Sequence, residues 1–163
     1  MKCIIIDDEP LAREGLELNI NDVNYLELVG QFSNAMDANN FLSENEVDLM
    51  FLDVEMPGMS GIEFLKSLDD PPMTILSTAY NEYAIQGYEL KVIDYLVKPV
   101  KADRFMKAVN KAKQFYDLKL KSESSELAQG DDFIFLKSER KYVRVYLNDI
   151  YYIQGMKDYV MVV

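Results

Sequence analysis

Leu49-Met50-Phe51-Leu52-Asp53 puts four consecutive apolar side chains directly before a carboxylate. A short run with no polar alternation reads as a strand buried on both faces, the signature of a parallel sheet. The pattern recurs on either side of it. Cys3-Ile4-Ile5-Ile6 runs into Asp7-Asp8, and Asp94-Tyr95-Leu96-Val97 runs into Lys98-Pro99. Parallel strands deliver their carboxyl ends to one edge, so these charges are expected to share a rim. Gathered carboxylates repel one another unless a cation or proton sits between them. With a lysine beside them they make a place for a divalent metal and a phosphoryl group together.

Working outward, strands and helices alternate. Lys2–Ile6 is a strand, and Pro10 opens a helix with Leu11, Leu16, Leu18 and Ile20 at its apolar positions. Tyr25–Phe32 reads as a second strand. Ser33 then caps a helix to about Ser43, with Ala35, Met36, Ala38, Phe41 and Leu42 inside. After the strand Asp48–Asp53 comes the turn cluster Met56-Pro57-Gly58-Met59-Ser60-Gly61 and a short helix carrying Ile62, Leu65 and Leu68, stopped by Pro71-Pro72. Met73–Thr78 is the fourth strand. Asn81 caps a fourth helix to about Leu90, and Val92–Val97 contains the fifth strand. A longer fifth helix runs from Ala102 to about Leu120, with Phe105, Met106, Val109, Ala112, Phe115 and Leu118 at helical spacing. Five such units predict an α/β, doubly wound parallel sheet with helices on both faces.

The composition then changes. Residues 122–132 are polar, serine-rich and end in Gly130-Asp131-Asp132, which predicts a linker between a first domain, 1–121, and a second, 133–163. In the second, Phe133–Lys137, Lys141–Leu147, Ile150–Gln154 and Tyr159–Val163 alternate aromatic or β-branched residues with polar ones, as antiparallel strands do. The run Tyr159–Val163 has no turn after it, and the expectation is an incomplete β segment.

A formal charge of −11 on 163 residues argues against nonspecific nucleic-acid binding by the whole chain. From 132 to 163, five basic residues face four acidic ones, net +1, so residues 1–131 carry −12. The single cysteine, Cys3, sits in a strand and reads as a buried, inert thiol. No signal-peptide pattern or membrane-span-length apolar segment is visible, so the expectation is a cytoplasmic protein with no membrane partner.

The chemistry follows from the rim. Asp53 is the candidate nucleophile, because a carboxylate can accept a phosphoryl group as an acyl phosphate. That step needs charge neutralisation more than proton transfer. Mg2+ suits an all-oxygen site. Asp8 and Asp53 would bind it directly, Asp7 through water, and the backbone carbonyl of Glu55, by its spacing, would complete the protein's share. Lys98 would pair with phosphoryl oxygens, or with Asp53 before they arrive, and the Thr78 hydroxyl would donate to the same oxygens. A lone aspartate at a strand end is ordinarily a cap or solvated turn residue. Four marked positions at successive strand ends of one topology are not explained that way.

Residues 1–121 resemble a response-regulator receiver domain. The likeness rests on Asp7-Asp8, on Leu52-Asp53-Val54-Glu55-Met56-Pro57-Gly58-Met59-Ser60-Gly61, on Ser77-Thr78-Ala79 and on Asp94-Tyr95-Leu96-Val97-Lys98-Pro99. It implies a flavodoxin-like sheet of order 2-1-3-4-5, Asp53 as phosphoacceptor, Thr78 as switch hydroxyl, Tyr95 as switch aromatic, Lys98 as phosphate-pairing lysine and a cis Lys98–Pro99 peptide. It also implies a sensor histidine kinase as partner, and no enzyme activity beyond self-catalysed phosphotransfer and slow autodephosphorylation. Residues from about Asp132 resemble the start of a LytTR-type DNA-binding domain, through Phe133-Ile134-Phe135-Leu136-Lys137, Tyr142-Val143-Arg144-Val145 and Ile150-Tyr151-Tyr152-Ile153-Gln154-Gly155. Ala79-Tyr80 and Tyr83-Ala84 are typical of receivers joined to such domains. The resemblance implies transcriptional control. Promoter DNA is then a partner only of a full-length parent, where Arg140, Lys141 and Arg144 are candidate DNA-backbone contacts.

In such a switch Thr78 would move toward the phosphoryl group and Tyr95 into the space it leaves, biasing the surface formed by the fourth helix, fifth strand and fifth helix. That surface holds Tyr83, Ile85, Tyr88, Leu90, Lys91, Val92, Lys101, Arg104 and Lys107, a mixture suited to homodimerisation. A stand-alone phosphoacceptor or an aspartyl-phosphate hydrolase is the alternative. A hydrolase would need a catalytic acid and a substrate cap, and the chain has no histidine. A flavin carrier of the same topology is disfavoured by Asp7-Asp8-Glu9-Pro10, which would repel a flavin phosphate.

Overall fold

A computed structural model describes residues 1–79, 92–126, 133–138, 141–146, 150, 153–155 and 160–162. The first unit, Met1–Lys119, contains β1 (Lys2–Ile6), α1 (Pro10–Asn21), β2 (Glu27–Phe32), α2 (Ala35–Glu44), β3 (Leu49–Asp53), α3 (Gly61–Ser67), β4 (Met73–Thr78) and β5 (Asp94–Val97). A further helix, α4 (Ala102–Glu126), begins in it. The predicted fourth helix lies outside the described residues, so α4 is the fifth helix of the sequence reading.

The five strands pair in parallel in the order β2-β1-β3-β4-β5, the flavodoxin-like arrangement. The register fixes the rim. Ile6 lies beside Leu52, Asp53 beside Ser77 and Thr78 beside Val97, so Asp7, Asp53, Thr78 and Lys98 arrive at one edge. Alternate residues of the central strands feed two cores. Cys3, Ile5, Leu49, Phe51 and Ile75 pack with Leu16, Ile20, Phe105 and Val109 from α1 and α4. Ile4, Ile6, Met50, Leu52 and Leu76 pack with Ala38, Phe64 and Leu65 from α2 and α3. Phe51 stacks on Phe105 with ring centroids 5.4 Å apart. Burial pushes the Cys3 thiol up to about 12, which keeps it protonated.

Several details depart from the sequence reading. Asn34, not Ser33, caps α2, its side chain accepting from the Asp37 amide at 2.9 Å. Leu11, Leu18 and Met36 lie on helices but face solvent. Periodicity marks where apolar residues recur; only packing decides which of them are covered. The last helix continues six residues past its expected end near Leu120, to Glu126. Lys121–Glu126 contains neither proline nor glycine, so nothing in that stretch breaks the helical hydrogen bonding.

The second unit, Leu120–Val163, holds two antiparallel pairs. In one, β6 (Phe133–Ser138) faces β7 (Lys141–Tyr146), and in the other β8 (Ile153–Gly155) faces β9 (Val160–Val162). No helix of the described residues is long and apolar enough to cross a membrane.

Candidate functional site

Asp53 ends β3 and is 3% exposed; Asp7 follows β1 and is fully buried; Asp8 is half-buried beside it. One carboxylate oxygen from each of the three lies within 4.8 Å of the others. The backbone holds them there. The Asp7 amide donates to the Phe32 carbonyl at 3.0 Å, and the Asp7 carbonyl accepts from Arg13 of α1 at 2.6 Å. After Asp53 the chain is pinned by the Val54 amide on the Ser77 carbonyl at 2.9 Å and by the Gly61 amide on the Val54 carbonyl at 3.0 Å. Gly61 is there for space: a Cβ on it would stand 1.9 Å from the Asp53 carbonyl oxygen. Ser60 and Glu63 close a reciprocal capping box that starts α3 at this point.

Lys98, just past β5, reaches over the rim. Its Nζ is 2.8 Å from Asp7 Oδ2, 3.2 Å from Asp53 Oδ2 and 3.2 Å from Glu9 Oε2. The Asp7 contact is a short ion pair poorly aligned for a hydrogen bond. The Lys98–Pro99 peptide is cis, and the Lys98 amide donates to the Thr78 carbonyl at 2.8 Å.

The charges do not balance. Burial, then the Asp7 carboxylate, push Asp53 up to about 6, against the opposing pull of Lys98 and the Glu55 amide. Burial alone would lower the Lys98 ammonium, but Asp7 and Asp53 outweigh it and hold the group above its ordinary value. Asp53 is deeply buried among like charge that Lys98 offsets only in part. The donor set is all oxygen, carboxylate and closely spaced, and it fits magnesium.

Of the other residues singled out in the sequence, Thr78 is buried at the end of β4. Tyr95 of β5 packs against the core on the α2 and α3 side, its hydroxyl buried with no hydrogen-bond partner among the described residues. Glu55 is exposed, and its amide faces Asp53. Lys141 and Arg144 lie on β7, away from the rim in sequence and in a different unit; Arg140 lies outside the described residues. Of the expected switch surface, Tyr83, Ile85, Tyr88, Leu90 and Lys91 lie outside them too.

Two contacts were missed by sequence reasoning. Glu9 joins Lys98 across the sheet edge. Arg104 of α4 donates to both Asp94 carboxylate oxygens, at 2.6 and 3.1 Å, and to the Tyr95 carbonyl at 2.7 Å. Burial would raise Asp94, but Arg104 and the Tyr95 amide hold its carboxyl below the usual range. Neither contact has a local signal, since the partners are 89 and about ten residues apart.

Comparison with known proteins agrees with this geometry. Residues 3–110 match the family described as response regulator receiver domain. The chain is 38% identical over 116 residues to the transcriptional regulatory protein BtsR of Salmonella typhi, covering 70% of this chain and 48% of that protein. It is 36% identical over 135 residues to the transcriptional regulatory protein LytR of Staphylococcus aureus (strain MW2), covering 81% and 54%. The chain thus spans about half the length of these curated relatives. Among solved structures, the response regulatory domain of protein mrkE from Klebsiella pneumoniae superposes with a TM-score of 0.67 at 32% identity, over 72% of this chain and 99% of that one.

Proposed function

Because the chain belongs to the response-regulator receiver family, we propose that it is the phosphoacceptor switch of a two-component system, fed by a sensor histidine kinase in the cytoplasm. Receivers of this family are signalling domains rather than enzymes. The observation that carries the reading is the buried Asp53 carboxylate, crowded by Asp7, with the Lys98 ammonium within ion-pair distance of both.

The Asp53 carboxylate oxygen forms the new O–P bond as the P–N bond to the kinase histidine breaks, and the electron pair returns to the imidazole. Lys98 offers its N–H groups to the transferred oxygens, and Thr78, at the same edge, offers its hydroxyl. Asp8, Asp53 and the Glu55 carbonyl would hold Mg2+ directly, with Asp7 linked through water. When bound, the ion neutralises the charge that builds on the phosphoryl oxygens. Tyr95 answers the movement of Thr78. Its hydroxyl has no hydrogen-bond partner among the described residues, which supports a side chain that a change in neighbouring space will redirect.

The output is proposed for the full-length protein. Its relatives are named transcriptional regulators, and the β6–β9 segment resembles the beginning of a LytTR-type domain. Promoter DNA belongs to that larger protein, with Arg140, Lys141 and Arg144 as candidate backbone contacts. Residues 1–121, 122–132 and 133–163 are proposed as receiver, linker and output fragment. Incubation with acetyl phosphate and magnesium is expected to give one stable label per chain, lost in Asp53→Asn. Rapid multiple turnover would make the chain a hydrolase instead, and an undiminished label in Asp53→Asn would remove Asp53 as acceptor.

A further inference from the structure

Glu9 stands at the N-cap of α1, where a side-chain oxygen usually accepts from the second or third helical amide. Its side chain makes no such bond. Pro10 has no N–H to offer, so the groups left without a side-chain cap are the Leu11 and Ala12 amides. The Glu9 carboxylate turns the other way, to Lys98 Nζ at 3.2 Å. Glutamate is not among the preferred capping side chains, so the cap it forgoes is a weak one, and what needs an explanation is why it turns to Lys98.

The ammonium group explains it. Lys98 has three N–H groups and three carboxylates around it, Asp7, Asp53 and Glu9; of these Glu9 takes an aligned hydrogen bond, whereas the Asp7 contact is an ion pair without one. An acyl-phosphate oxygen arriving at Asp53 needs one of those N–H groups. The side chains of Asp7 and Asp53 are 0% and 4% exposed, whereas that of Glu9 is 63% exposed and passes into water at little cost. Once released, it sits at the positive end of α1, where a carboxylate is stabilised.

We propose that Glu9 is a placeholder: it occupies the Lys98 N–H that the phosphoryl group takes over, and phosphorylation returns it to α1 as a cap. The proposal rests on the assignment of Asp53 as acceptor and Lys98 as its partner. Glu9 touches neither metal nor phosphoryl group, and it acts by positioning Lys98. Its charge also opposes the arrival of an anion, so the resting site is harder to fill than its other residues would make it. Phosphorylation thereby reaches the first turn of α1 as well as Thr78 and Tyr95.

Beryllofluoride affinity, read by calorimetry at saturating magnesium, tests this in the wild type, Glu9→Gln and Glu9→Asp. Glutamine removes the charge; aspartate keeps it but is a methylene shorter and the better cap. Both variants are expected to bind beryllofluoride about three- to ten-fold more tightly. In the wild type, the Leu11 and Ala12 amides are expected to exchange with solvent about three-fold or more slowly once beryllofluoride is bound. Affinities equal to or weaker than wild type in both variants overturn the placeholder role, as does unchanged exchange at Leu11 and Ala12. A gain in Glu9→Gln alone overturns it too, because charge and not contact would then matter. A wild type that takes up no beryllofluoride would instead remove the acceptor reading beneath it.

Discussion

Asp53 carries its burial as a cost that depends on pH. Its folded-state carboxyl stands at about 6 against an ordinary value of 3.8. Between those values the folded chain binds more protons than the unfolded one, so stability falls as pH rises through this window. In metal-free solution the loss assigned to this group is on the order of 3 kcal/mol from pH 3.5 to 7. The difference in unfolding free energy between wild type and Asp53→Asn, followed by urea titration across that range, is expected to change in this sense, with the variant the more stable at pH 7. Added magnesium should shrink the gap. A difference that stays constant with pH would mean that Asp53 is not held above its ordinary value. The residue itself was legible: an acid that ends an apolar run has few other places to go. Its neighbours were less so. Glu9 looks like any exposed acid before a proline, and only the fold brings Lys98 to it.

At the scale of elements, the β3–α3 connection is built around an absent side chain. Gly61→Ala forces the Asp53 backbone and the start of α3 apart, with an expected cost of about 2–4 kcal/mol in thermal unfolding and a weakened magnesium affinity. A variant with wild-type stability and affinity would show that the turn has room to relax. The β5–α4 junction depends on Arg104 in the same way. Arg104→Ala removes two hydrogen bonds to Asp94 and one to the Tyr95 carbonyl, at an expected cost of about 1–2 kcal/mol. Asp94→Asn should recover little of it, since the Arg104 bond to the Tyr95 carbonyl stays lost. Strands were legible from their apolar runs, and the start of α1 from Pro10; the cap of α2 was misplaced by one residue, at Ser33 rather than Asn34. The end of α4 was not legible. A stretch such as Lys121–Glu126 is polar enough for a linker and regular enough for a helix, and composition does not choose between them.

For the molecule as a whole, the alternation of elements predicted a parallel sheet covered on both faces, because right-handed crossovers place helices there, while the strand order 2-1-3-4-5 came from the likeness to receiver domains. The site was legible too: strand polarity alone sends Asp7, Asp53, Thr78 and Lys98 to one edge. What a linear reading lacked was contact between distant segments. Magnesium and beryllofluoride together are expected to shift the chain toward a dimer in sedimentation velocity, through the face that includes Val92, Lys101, Arg104 and Lys107. An unchanged profile at saturating ligand would remove that surface from the signalling pathway.

The ion pairs of Lys98 bear on its reactivity. Acylating reagents attack only the neutral amine, and two buried acids hold this one protonated while leaving it 16% exposed. Acetic anhydride should therefore modify the outward-facing lysines first and spare Lys98, so a mass-spectrometric map of acetylated positions becomes a footprint of whether the acidic pocket is intact.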